Sequence, residues 1–329
     1  MFAGACFIKK YNGGNTLKKK KTVEYGKYGY LFLTPFFLVF VIYQLIPLIY
    51  TLGNSFLYEG KQGRQVVTAW GLGNFTNYIF GSAGGGEFFK ALVITMVLWL
   101  LNFIPQIVFS LLFAAWFTDL KYKLKPAGAY KVMMYMPNII TAATIAVLFY
   151  SLFNANGSFM LLFKKWGWFP QNFEMFNKGW GTLLLIAFIQ FWMWYGNTMI
   201  VLCAGILGIS PSLYEAAMVD GANSRTTFFK ITLPLLKPIL QFTLVTSAIG
   251  GLQMYDIPQL LNAGDPIVKV GGMDVKSTTT VIMLIKKYVS PGTTQNMGRA
   301  AAYSVVLFIV TLCISLIFYR LTASDSSER

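Results

Sequence analysis

Long apolar stretches alternate with short polar ones along the whole chain. No Asp, Glu, Lys or Arg occurs between Lys27 and Glu59, Lys90 and Asp119, Lys131 and Lys164, Lys178 and Glu215, Lys237 and Asp256, or Arg299 and Arg320. A helix needs about 20 apolar residues to cross the ~30 Å hydrocarbon core of a bilayer. The pattern therefore predicts spans near 29–52, 91–117, 132–153, 181–207, 239–258 and 302–319. The expected fold is all-α: a polytopic domain of six transmembrane helices over 28–320, with a basic tail at 1–27 and a short tail at 321–329. Pro35, Pro47, Pro105 and Pro137 fall inside spans one to three, where each removes a backbone hydrogen bond and favours a kink. Between spans, residues 53–90 are rich in Gly and Asn and are expected to be flexible. Trp166, Trp168 and Phe169 suit a membrane interface. The apolar stretch from Thr278 to Val289 is too short to span and ends in Lys286-Lys287, which predicts an interfacial or re-entrant helix.

Composition sharpens this picture. Only 12% of the 329 residues are charged, against about 25% in an ordinary soluble domain, which excludes a water-soluble enzyme. The net charge of +15 does not point to nucleic acid, because Lys18-Lys19-Lys20-Lys21 and Lys121, Lys123 and Lys125 flank spans. There they serve as topology signals and contacts to anionic lipid. An even number of spans puts both termini on one side, and the distribution of Lys and Arg favours the cytoplasm. The chain has no histidine, so imidazole metal ligation and His general bases are excluded, and Cys6, Cys203 and Cys313 show no pairing pattern. Positive charge follows Cys6, which argues against a lipidated cysteine, and the first apolar run, Tyr28 to Leu52, is too long for a signal core and reads as a retained span.

The most informative stretch joins spans four and five, residues 208–238. Ser210-Pro211 is a helix-start signal and Gly221 a stop, with Leu213-Tyr214-Glu215-Ala216-Ala217-Met218 between them. A helix of about ten residues is marginal alone in water and needs a partner surface. Farther on, Phe228, Ile231 and Leu235 share one face, and Pro234 and Pro238 mark an abrupt return to the membrane.

Glu215-Ala216-Ala217, Asp220-Gly221-Ala222 and Phe229-Lys230-Ile231-Thr232-Leu233-Pro234 resemble the EAA loop of inner-membrane permeases of binding-protein-dependent ABC importers, in the form of the maltose-transporter permease family. Weaker echoes are Gly71-Leu72-Gly73-Asn74-Phe75-Thr76-Asn77-Tyr78, similar to an external motif before span two, and Tyr255-Asp256 through Leu261-Asn262-Ala263-Gly264-Asp265-Pro266, similar to the segment after span five. The resemblance covers roughly residues 28–320 and implies a type I importer permease in a bacterial plasma membrane. It also implies the partners: a second permease, two cytoplasmic ATPase subunits that bind ATP and Mg, an extracytoplasmic solute-binding protein and a carbohydrate substrate. No cofactor is expected in this chain, which lacks a glycine-rich G-x-x-x-x-G-K phosphate cradle.

By the same resemblance, Tyr214, Glu215, Ala216, Ala217, Met218, Asp220 and Gly221 form a helix that docks on the ATPase. Tyr214, Ala217 and Met218 would make the contact, and Glu215 would supply a fixed charge. For the substrate path, Gln190, Met193, Trp194 and Asn197 recur at helical spacing on one face of span four. Aromatic faces stack on sugar C–H groups and amides bond hydroxyls. On span five, Ser247, Gly250, Gly251 and Met254 match the family's other substrate-facing stretch, with glycines expected to widen the cavity. Asn102, Gln106 and Gln253 suit interhelical bonding equally well. The competing class, an ion-coupled secondary transporter, would need an intramembrane charge, and only Asp256 offers one.

Overall fold

The computed structural model describes residues 26–62, 65–81, 85–119, 125–270, 273–292 and 295–322. The lysine run at 18–21, Cys6, Lys121 and Lys123 and most of both tails lie outside them. Two compact units divide the chain, Met1–Ile49 and Tyr50–Arg329.

The first unit carries α1 (Gly26–Phe40), a π-helical turn at Val41–Leu45 and the start of α2 (Ile46–Phe56). The wide turn closes with Ile46 N–H donating to Val41 O, directly before Pro47. Proline has no N–H to offer the preceding turn and its ring crowds the carbonyl four residues back, so the helix relaxes there.

In the second unit, β1 (Leu57–Gln62) and β2 (Gln65–Trp70) pair as an antiparallel hairpin, followed by α3 (Gly73–Tyr78). Residues 53–90 are thus structured where they are described, contrary to the expectation of a flexible loop. A two-stranded hairpin is marginal by itself, and this one is held at its base by Asn74. The Asn74 amide, fully buried, donates to Ser55 O (3.0 Å) and Leu57 O (2.9 Å).

The bundle proper begins with α4 (Gly85–Phe117), which stays helical through Pro105. The expected third span is two helices, α5 (Ala127–Ile139) and α6 (Ala142–Phe153). Ile140 and Thr141 between them are extended, and the Thr141 hydroxyl caps α6 by accepting from Thr144 N–H. After α6 come α7 (Ser158–Lys165) and α8 (Gly179–Leu207). The loop at the far end of α8 folds as α9 (Pro211–Val219), α10 (Ser224–Thr227), a π turn at Phe228–Thr232 and α11 (Leu233–Leu235). This second π turn also abuts a proline, Pro234.

α12 (Lys237–Leu252) is shorter than the span expected at 239–258, because the chain breaks at Gln253–Tyr255 before α13 (Asp256–Asn262). Then follow a hairpin of β3 (Ile267–Val270) and β4 (Met273–Lys276), α14 (Val281–Val289) and α15 (Met297–Thr322). Among the described residues, five helices are long and apolar enough to cross a membrane: Tyr28–Phe56, Gly86–Phe117, Ala142–Lys165, Gly179–Leu207 and Met297–Thr322. The pair Ser224–Leu235 and Lys237–Asn262, bent by 69°, makes six when taken as one.

α8 is the central pillar, packed along α4 and flanked by α5. Leu98, Ile145, Ile186, Ile189, Met254 and Ile257 form the core between α4, α6, α8 and the α12–α13 break. A second core joins α3 and the start of α4 to α14 and α15 through Ile79, Phe88, Leu284 and Tyr303. Here α14 is no loose surface helix. It buries Val281, Leu284 and Tyr288, and Thr280 at its N-cap donates to Met254 O at 2.8 Å. Beside it the Glu87 carboxylate accepts from Lys287 (2.7 Å), Arg299 (2.8 Å) and the Tyr288 hydroxyl (2.6 Å), tying three helices together. Burial, then the hydrogen bond to Glu87, holds the Tyr288 phenol above the ordinary tyrosine range.

Candidate functional site: a lined cavity and a loop groove

Where α4, α8 and α12 diverge they enclose a cavity of about 500 Å³, within the range of small-molecule sites. All the path residues expected on spans four and five line it: Gln190, Met193, Trp194 and Asn197 from α8, and Ser247, Gly250, Gly251 and Met254 from α12 and the break after it. The spacing of the α8 set explains its common face. Trp194 is 46% exposed, whereas Gln190 and Met193 are each 8% exposed, so the indole reaches furthest into open space.

The two glycines do different things. Gly250 has open space beside it, as a widening residue would. A Cβ on Gly251, however, would lie 2.1 Å from Trp99 Cδ1, so its missing side chain is filled by a tryptophan of α4 and does not widen the cavity. Asn102 and Gln106 also reach the lining. Gln106 is anchored across helices by donating to Thr198 Oγ1 at 2.8 Å, while Asn102 donates within α4 to Leu98 O at 2.9 Å.

Thr243, Thr246, Phe242, Val201 and Tyr255 also belong to the lining and escaped the sequence reading. A signal for the first two was present: Thr243, Thr246, Ser247, Gly250 and Met254 continue one helical stripe. Tyr255 had none, because only the break after α12 turns it inward. Unwound backbone at such a depth is tolerated where it lines a cavity.

At the opposite end of α8, the Ser210–Gly221 segment folds around α9. Pro211 takes the first helical position, but the Ser210 hydroxyl does not cap the helix and instead pairs with Ser212 Oγ at 2.8 Å. The stop is a Schellman arrangement. Gly221 adopts φ 75°, its N–H donates to Met218 O (3.1 Å), and Ala222 N–H donates to Ala217 O (2.9 Å).

Ala217 is buried against the chain's own loop, and the Tyr214 hydroxyl is hydrogen-bonded to Thr232 at 3.1 Å. Both thus meet the chain itself at these atoms, whereas the resemblance placed them on the contact surface. Glu215, Ala216, Met218 and Asp220 are exposed. Beside α9 lies a groove of about 320 Å³, lined among others by Trp116, Tyr214, Met218, Arg225 and Phe228. No group of three or more His, Cys, Asp or Glu able to hold a metal occurs among the described residues.

Residues 73–324 match the family model described as binding-protein-dependent transport system inner membrane component. The arabinooligosaccharides transport system permease of Bacillus subtilis (strain 168) is 29% identical over 304 residues, covering 91% of this chain and 90% of that protein. A lactose transport system permease of Rhizobium radiobacter is 26% identical over 302 residues, covering 90% and 93%. The trehalose/maltose transport system permease of Thermococcus litoralis is 26% identical over 313 residues, covering 93% and 97%. Among solved structures, a chain of a bacterial ABC transporter involved in import of the acidic polysaccharide alginate superposes with a TM-score of 0.72 at 22% identity. It covers 90% of this chain and 95% of that one.

Proposed function

Since the chain belongs to the family of inner membrane components of binding-protein-dependent transport systems, we propose that it forms part of the path by which an ATP-driven importer moves a carbohydrate across a bacterial plasma membrane. The observation that carries the reading is the cavity between α4, α8 and α12, where an exposed indole and several amides and hydroxyls converge. That chemistry suits a polyhydroxylated ring, which offers C–H faces to aromatics and hydroxyls to amides. The sugar-permease names of the relatives at similar full-length coverage support the same class.

In this reading a second permease completes the path, a solute-binding protein delivers the sugar outside, and two ATPase subunits bind ATP and Mg inside. The chain performs no covalent chemistry. Its exposed α9 face, Glu215, Ala216, Met218 and Asp220, meets the ATPase, while Tyr214 and Ala217 brace the helix from behind and Gly221 ends it. Both termini and α9 are cytoplasmic. Closure of the ATPases displaces α9 and rocks the spans between inward- and outward-open arrangements.

Proteoliposomes holding this chain with its second permease and ATPases test the reading. Uptake of a labelled sugar is expected only with ATP and the binding protein together. Uptake driven by an ion gradient without ATP would contradict it.

A further inference from the structure

We infer that the cavity selects uncharged saccharides over acidic ones, with Asp256 as the specificity-determining residue. This rests on the carbohydrate reading above and narrows it.

Apart from the Asp256 carboxylate and the Trp194 indole, the hydrogen-bonding side chains of the lining are amides and hydroxyls. Gln106 and Thr198 satisfy each other. The side chains of Gln190, Asn197, Ser247 and Gln253 line the cavity and make no hydrogen bond to other described residues, so their polar ends are left for a ligand. An amide or hydroxyl both donates and accepts, matching a sugar hydroxyl that does the same. A sugar carboxylate is different. It only accepts, carries a full charge, and is best met by Arg or Lys.

Among the described lining residues there is no Lys or Arg, and the single charged group is the Asp256 carboxylate at the start of α13. Lys286 of α14 does not join the lining. Its ammonium sits 4.4 Å from the centre of the Tyr255 ring and hydrogen-bonds the Tyr255 hydroxyl. A uronate in the cavity meets like charge at the exposed Asp256 carboxylate, with no cation among the lining residues to offset it.

The test uses the whole purified importer and the quenching of its tryptophan fluorescence, to which Trp194 in the lining contributes. The probes are neutral trisaccharides of arabinose, glucose and galactose, and trigalacturonate. A neutral trisaccharide is expected to quench at concentrations where trigalacturonate does not. Asp256→Asn should cut the neutral-over-acidic preference roughly tenfold, and Asp256→Glu should retain it. Equal binding of both classes by the unaltered complex, or a preference unchanged in Asp256→Asn, overturns the charge filter alone. If no saccharide of either class quenches while a dipeptide does, the carbohydrate reading fails and takes this inference with it.

Discussion

A methyl group at position 251 has nowhere to go, since Trp99 occupies its place. Gly251→Val should therefore separate α4 from α12 and lower the thermal unfolding midpoint of the purified complex, whereas Gly250→Ala, facing open space, should leave that midpoint in place. Asn74 makes a second local test. Asn74→Leu strands the Ser55 and Leu57 carbonyls in a buried site, at a cost of about 1–3 kcal/mol for each unsatisfied group. Hydrogen exchange across β1 and α3 should quicken while α8 stays protected. Residue types told part of this in advance. The stripe on α8 was legible because helical spacing alone puts Gln190, Met193, Trp194 and Asn197 on one face. The role of Gly251 was not, because a close approach depends on which distant side chain fills the gap.

Elements were legible where apolar runs are long and obscure where they are short. Charge-free windows located the helical run from α1 to α2, and α4, α8 and α15, to within about six residues at each end. They could not reveal the extended break at Ile140–Thr141 or the irregular one at Gln253–Tyr255, because no charged residue interrupts the chain within either. The hairpins were hidden by their brevity: four to six residues per strand give too few alternations to register. Pro47, read as a kink, follows a π turn, as does Pro234, read as marking the return to the membrane. In the loop after α8, the start and stop of α9 followed from Pro211 and Gly221, but its orientation did not. Ala217 turns inward and Glu215 outward, so the reversed charge in Glu215→Lys should leave α9 folded and membrane insertion intact. Binding-protein-stimulated ATP hydrolysis should fall by an order of magnitude or more, since breaking a desolvated interfacial charge pair costs about 2–5 kcal/mol. Hydrolysis at the unaltered rate would remove Glu215 from the coupling contact.

At the scale of the whole molecule, the cavity and α9 occupy different parts of one pillar, α8, which lines the first with Gln190 to Asn197 and leads into the second after Leu207. In the proposed function, this helix would join the ligand path to the ATPase contact and carry displacement at one into opening at the other. The decisive measurement is crosslinking of Glu215→Cys, in a chain with Cys6, Cys203 and Cys313 replaced by Ser, to the ATPase subunit of the assembled importer. The account predicts a crosslink whose yield changes when ATP binds, and protection of that thiol from membrane-impermeant reagents added to intact cells. Labelling of the thiol from outside the cell, with no crosslink to the ATPase, would contradict it.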